Sequence, residues 1–344
     1  MSPSPPDPRT PWSGPADVIR AAAIARLYYL GGRSKSDIAA EFGLSRFKVA
    51  RVLDDALATG IVKIQIDLPG EFDARLSDEL RATLGLRHAI VVEIPENDDG
   101  ARRLRLGRAA ADLLEEVLLP GETLGIAWGR TLSAMSSQLK RLAPCTVVQL
   151  AGVISASDNM ESGVELVRRV AAVSGGQACR IYAPLLVSDS ATAEMLRRQP
   201  QVADTLRRHD QLTTAVIAIG SWTPPDSTVY DVLTNADRQV LLGVGVEAEL
   251  SAIFLGNDGQ ILDTDLNRRL IAITGEQLKK VPHVIAVAGG HSKHEAIQAT
   301  LRAGFVDSLV TDSETARFLL GEARSLDDAP PPRKNPIREA EGLR

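Results

Sequence analysis

Ser34-Lys-Ser-Asp-Ile-Ala-Ala-Glu-Phe-Gly-Leu-Ser45-Arg-Phe-Lys-Val-Ala-Arg-Val-Leu53 reads as two short helices joined by a tight turn. Ile38, Ala39 and Phe42 give the first helix an apolar stripe. Gly43 takes positive φ at little steric cost, which ends that helix and turns the chain. Ser45 is a good N-cap for the second helix, because its hydroxyl accepts from free amides of the first turn. Val49, Val52 and Leu53 share one face of that helix, while Arg46, Phe47, Lys48 and Arg51 point elsewhere. This pattern predicts a helix-turn-helix whose second helix enters the DNA major groove. An ordinary helical hairpin is the alternative, and the flanking sequence argues against it. Upstream, Ala16–Leu30 is expected to be a third helix, with Ile19, Ala23, Leu27 and Leu30 at helical spacing. Downstream, Gly60 ends the second helix, and Ile61–Ile66 alternates like a strand where a wing would sit. The expected DNA-contacting residues are Lys35, Ser45, Arg46, Phe47, Lys48 and Arg51.

Charge is distributed to match. Residues 1–70 carry nine Lys/Arg against seven Asp/Glu, and the remainder 30 against 37, within a net charge of −5. A small basic excess confined to one end suits a protein that touches DNA there and does not coat it. A length of 344 residues suggests one small unit and one large core. Two cysteines, Cys145 and Cys179, are too few for a disulfide framework and read as buried thiols. No apolar run reaches membrane-spanning length and no signal-peptide core is visible, so a cytoplasmic protein is expected. Residues 1–15, rich in Pro and Ser, and 321–344, Pro-rich and charged, are expected to be unstructured tails.

Beyond Pro69-Gly70 the pattern alternates between strands and helices. Helices are expected over Phe72–Leu84, Arg102–Leu119 and Leu132–Leu142. Strands are expected over His88–Ile94, Thr123–Trp128, Thr146–Leu150, Cys179–Tyr182, Ala215–Ile219, Ile253–Leu255, Arg269–Thr274, Val284–Ala288 and Ser308–Val310. The alternation argues for a doubly wound, mostly parallel α/β sheet, in which ligands bind at the carboxyl ends of the strands. Several of those ends carry glycine turns: Trp128-Gly-Arg-Thr131, Leu150-Ala-Gly152, Ile219-Gly220-Ser221 and Ala288-Gly-Gly-His-Ser-Lys293, with Tyr182-Ala-Pro184 beside them. Glycine lets backbone amides approach an anion at a helix start, and Arg130, Thr131 and Lys293 add donors. Together they suggest a phosphate or carbohydrate pocket, although no P-loop or Rossmann fingerprint is present. No metal or cofactor is expected. His291 and His294 have helical spacing but no companion cluster, so a polar helix start is the expectation. Asp263 and Asp265 lack the terminal Glu of an EF-hand loop and read as a surface turn.

The order of these pieces resembles the SorC family of bacterial sugar-responsive transcription regulators, also grouped as SorC/DeoR. The matching segments are Leu27-Tyr-Tyr-Leu30, Ile38-Ala39 with Gly43-Leu-Ser-Arg46, and Gly60-Ile-Val62, followed by Leu124–Thr131 and Val148–Gly152. They continue with Ala183-Pro184, Val287–Lys293, Ala296-Ile297 and Leu309–Asp312, so that the resemblance spans about residues 18–320. It implies a winged helix-turn-helix over 16–68 and an effector-binding and oligomerisation domain over 71–320, similar in fold to sugar-phosphate isomerases and deaminases but without their catalysis. Operator DNA, a sugar or sugar-phosphate effector, and a homodimer or homotetramer are the partners it implies. Gly129, Arg130 and Thr131 match the family's phosphate-binding turn and Lys293 its late pocket lysine. Glu249 falls where the family often has an Asp, within a run, Gly243–Leu250, that departs from the usual pattern. Gly152 and Gly220 complete the expected effector-binding set. The function expected is repression or control of a carbohydrate or polyol catabolic operon. The alternative is a sugar-phosphate isomerase or deaminase with an accessory DNA-binding domain, for which Glu249 and His291 or His294 are the acid/base candidates.

Overall fold

Three residues define the helix-turn-helix by local chemistry alone. In the computed structural model, which describes residues 11–64, 71–94, 98–154 and 162–325, Ser34 accepts from the Asp37 amide at 3.2 Å and starts α2, Lys35–Phe42. Gly43 ends it at φ 62°, with the Leu44 amide donating back to the Ala39 carbonyl. Ser45 then accepts from the Lys48 amide at 3.2 Å and starts α3, Arg46–Ala58. With α1, Pro15–Tyr29, these helices enclose a small core of Ile24, Ala25, Ile38, Ala39, Val49 and Leu53. Gly43→Ala is expected to cost about 1–2 kcal/mol, since a Cβ is disfavoured in the left-handed region even with open space around it. A lower urea midpoint for the first unfolding transition checks this.

Three expectations for this region need correction. The buried face of α1 is Ala21, Ile24 and Ala25, whereas Ile19 and Leu30 are 70% and 83% exposed. The described part of the expected wing, residues 61–64, is not a strand, and Gln65 and Ile66 lie outside the described residues. Of the expected tail, residues 1–10 also lie outside them, but Trp12 donates from its indole to Thr59 Oγ1 at 3.2 Å and α1 begins at Pro15.

Residues to Asp67 form one compact unit and those from Leu68 a second. In the second, α4 is Ala74–Leu84 and β1 His88–Val92. Phe72, expected to be helical, pairs instead as an isolated bridge with Val92. The chain continues through α5 (Asp99–Val117), β2 (Thr123–Ile126), α6 (Arg130–Gln138), β3 (Thr146–Gln149), α7 (Gly163–Ser174) and β4 (Ala178–Cys179). Next come α8 (Ser190–Arg198), α9 (Pro200–Arg207), β5 (Thr214–Ala218), β6 (Gly220–Ser221), α10 (Thr228–Val232) and α11 (Asn235–Gly243). Then follow β7 (Val246–Leu250), β8 (Ile253–Gly256), α12 (Asp265–Arg268), α13 (Gly275–Lys280) and β9 (His283–Val287). The last elements are α14 (His294–Arg302), β10 (Ser308–Asp312) and α15 (Ser313–Ser325). Because α15 runs to Ser325, the expected tail from Gly321 begins too early; residues 326–344 lie outside the described residues.

Seven strands pair in the order β1-β10-β9-β5-β2-β3-β4, every neighbour parallel. Their residues are apolar on both faces, as a parallel sheet covered on two sides requires: Val147, Val148, Val216, Ile217, Val284 and Ile285 are all buried. From β2 the chain moves outward to β3 and β4. From β5 it moves the other way to β9 and β10. Adjacent strands β2 and β5 therefore mark the reversal, and a crevice opens at their carboxyl ends. A second sheet, β6-β7-β8, is antiparallel. Among the described residues the expected strand Arg269–Thr274 makes only isolated bridges, Leu270 with Leu186 and Ala272 with Ala151. Among the described residues no helix is long and apolar enough to cross a membrane. Cys145 and Cys179 are buried free thiols, both pushed up by burial.

Candidate functional site

At the carboxyl ends of β2, β5 and β9 lies a narrow cleft, continuous with solvent. The turn after β2 forms one wall. Gly129 has φ 149°, and an added Cβ would meet Ala218 Cβ at 3.1 Å, so glycine is favoured twice over. Among the described residues no side chain caps α6 at Gly129, and Arg130 and Thr131, whose amides open the helix, line the cleft.

The opposite wall brings Lys293 in from the turn after β9. Its side chain is 17% exposed; Nζ donates to the Ile219 carbonyl at 2.7 Å and lies 3.6 Å from Asp226 Oδ2. Asp226 also pairs with Arg130. Burial pushes the Asp226 carboxyl up, but Lys293 and Arg130 outweigh it and hold it below the usual range. Burial lowers Lys293, opposed by Asp226. Two cations from separate strand ends thus share one acidic partner.

Glu249 lines the floor at 5% exposure. Oε1 accepts from the Ala252 amide at 2.6 Å and Oε2 from the Ser227 hydroxyl at 3.0 Å, while burial raises its carboxyl above the usual range. Ser251 and Ala252 form the β7–β8 turn with φ 53° and 66°, so Glu249 braces a turn that neither residue type favours. An added Cβ on Gly220 would lie 2.8 Å from Glu249 Oε2, which is why β6 can run so close.

Gly129, Arg130, Thr131, Gly220, Glu249 and Lys293 therefore meet in one cleft. Gly152 is not among its lining residues. A Cβ there would come within 2.7 Å of the Ala183 and Pro184 carbonyls, so this glycine serves the packing of two neighbouring strand-end turns. Arg102, Arg103 and Asp226 line the cleft without having been anticipated. The arginines stand at the end of the first turn of α5 and the start of the second, after the Asp98 N-cap, and a basic pair near the start of a helix beyond a strand is the signal the sequence offers. Asp265 is a surface residue ion-paired with Arg268 at 3.6 Å.

On α3, Arg46, Lys48 and Arg51 are exposed and Phe47 is 87% exposed, while Val49 and Leu53 are buried. Lys35 lies 5.4 Å above the Tyr28 ring. Arg20 of α1 shares a concave surface with Lys48 and Arg51, as do Asp17 and Asp55. Asp17 is held below the usual range by the Ser13 hydroxyl and backbone, and by the charges of Arg20 and Lys48.

The chain thus joins a small helix-turn-helix unit to a larger parallel sheet with a cleft at its strand reversal. Residues 69–321 match the family model described as "Putative sugar-binding domain". The chain belongs to the SorC/DeoR family of sugar-binding transcriptional regulators. It is 29% identical over 304 residues to the transcriptional regulator YjhU of Escherichia coli, covering 86% of this chain and 92% of that one. It is also 29% identical over 312 residues to the transcriptional regulator LsrR of Klebsiella pneumoniae, covering 90% and 94%. The crystal structure of the full-length sorbitol operon regulator SorC from Klebsiella pneumoniae shares the fold, with a TM-score of 0.68, 23% identity, and coverage of 89% and 99%.

Proposed function

We propose that this chain controls transcription of a carbohydrate or polyol catabolic operon and that a phosphorylated sugar, bound in the β2/β5 cleft, sets its affinity for operator DNA. The observation that carries the reading is the convergence of Arg130 and Lys293 on Asp226 beside the uncapped start of α6. A phosphate carries close to two negative charges and three acceptor oxygens, which suits two cations plus helix-terminal amides. Gly129, Thr131 and Gly220 leave space and donors around it. Arg102, buried and ion-paired with Asp99 and Asp312, and Arg103, beside Asp99, complete the lining, and Glu249 acts by shaping the floor. On α3, Ser45 caps the helix that presents Arg46, Phe47, Lys48 and Arg51 to DNA, with Lys35 at the start of α2. The chain works as a homodimer or homotetramer in the cytoplasm, because one helix-turn-helix buries too little surface for tight specific recognition.

The test is a panel of sugar phosphates and their parent sugars, titrated by calorimetry and then added to protein on an operator fragment. Saturable binding of a phosphorylated member, altered DNA affinity, no turnover, and more than one chain per complex by light scattering are expected. Chemical turnover of the bound sugar phosphate would instead place the chain among the isomerases or deaminases.

A further inference from the structure

His291 and His294 lacked a third ligand in the sequence, and the structure supplies one. His291 opens a single 3-10 turn that ends at Lys293, and His294 is the first residue of α14. Three residues apart on this path, the two rings meet edge to face with centroids 4.9 Å apart. Glu314, from the first turn of α15, brings a carboxylate oxygen to 3.4 Å from His291 Nδ1. One ring nitrogen from each histidine and a carboxylate oxygen all lie within 4.8 Å of one another.

A second observation singles out His294. It is 6% exposed and stacked on Phe318 at 4.6 Å, yet its Nε2 has no hydrogen-bond partner among the described residues. Buried polar groups are seldom left unsatisfied, and those that are call for an explanation such as an ion. His291 and Glu314 are exposed, so an ion has access from solvent.

We propose that His291, His294 and Glu314 form a site for a divalent transition-metal ion, Zn²⁺ by ligand type. Two imidazoles and one carboxylate suit Zn²⁺ with water at the fourth position, whereas Ca²⁺ and Mg²⁺ prefer oxygen ligands. Bonds of about 2.1 Å in tetrahedral geometry put ligand atoms roughly 3.4 Å apart. The His291–Glu314 pair already has that spacing, and rotation of these two exposed side chains closes the set around His294. The bound ion fastens the 3-10 turn to α15. Ser292 and Lys293, which line the cleft, lie between the two histidines and are held with it.

The assignment uses none of the proposed effector-binding side chains, so it stands or falls separately. Full-length protein, stripped with a chelator, is titrated with Zn²⁺ by calorimetry, and Co²⁺ absorption reports the ligand field. One ion per chain is expected, with affinity at least tenfold weaker in His291→Ala and in Glu314→Gln, while excess Mg²⁺ leaves binding unchanged. Both substituted positions are exposed, and circular dichroism identical to the unsubstituted chain confirms the fold. Absence of saturable Zn²⁺ binding, or binding in both variants as strong as in the unsubstituted chain, overturns the proposal.

Discussion

Replacing Arg46, Lys48 and Arg51 together by alanine is expected to weaken operator binding by about a thousandfold while leaving sugar-phosphate binding untouched. An arginine paired bidentately with guanine contributes about 1–3 kcal/mol of base discrimination, so Arg46→Ala alone should relax specificity at one operator position. A lysine on phosphate acts on all sequences alike, so Lys48→Ala should flatten the salt dependence by about one unit of slope. Tenfold per residue, about 1.4 kcal/mol, falls within these magnitudes, and three such losses compound to about a thousandfold. The fold should survive, because all three side chains are exposed and the core of this unit rests on Val49 and Leu53. Fluorescence anisotropy with an operator fragment at two salt concentrations measures both effects. An affinity equal to that of the unsubstituted chain would remove α3 from the DNA interface.

Lys293→Ala should abolish the transcriptional response with basal operator binding retained, and Thr131→Ala should weaken it in the same direction. Each charge-assisted hydrogen bond contributes roughly 1.5–3 kcal/mol, or about ten- to a hundredfold in affinity. Lys293 is the stronger case, because its Nζ is held against the Ile219 carbonyl and aimed into the cleft before any ligand arrives. Thr131 stands at the open end of α6, where its hydroxyl supplements the backbone amides. Calorimetric titration of both variants with a sugar phosphate that binds the unsubstituted chain reads the loss directly. Undiminished affinity in both would move the binding site elsewhere.

What the sequence revealed depended on how local the controlling physics is. Ser34, Gly43 and Ser45 act within a turn of their own backbone, so the helix-turn-helix could be read residue by residue. The parallel strands were visible because burial on both faces leaves continuous apolar runs, as in Val284–Ala288. The inner face of α1 is not legible because the helix is rich in alanine and carries large apolar residues on more than one side: Ile24 packs inward with Ala21 and Ala25, while Ile19 and Leu30 stay exposed. Arg269–Thr274 has a strand-like composition but meets its neighbours only at isolated bridges. β7, Val246-Glu-Ala-Glu-Leu250, carries the alternation of a strand, but the burial of Glu249 within it depends on tertiary partners that no alternation encodes. In the cleft, the glycine turns announced themselves, but Arg102, Arg103 and Asp226 arrive from α5 and from the segment after β6. Their meeting depends on the strand order, which no local motif encodes.

Asp226 has a consequence for discrimination among anions. On the proposed reading, Arg130 and Lys293 are already neutralised in part by an internal carboxylate, so a ligand enters by exchange and not by simple addition. A singly charged metabolite would replace one minus charge with another and gain little. A doubly charged phosphoryl group gains from the second charge, so the resident carboxylate suppresses the response to the abundant carboxylic acids of a cell and sets a threshold that phosphorylated sugars pass.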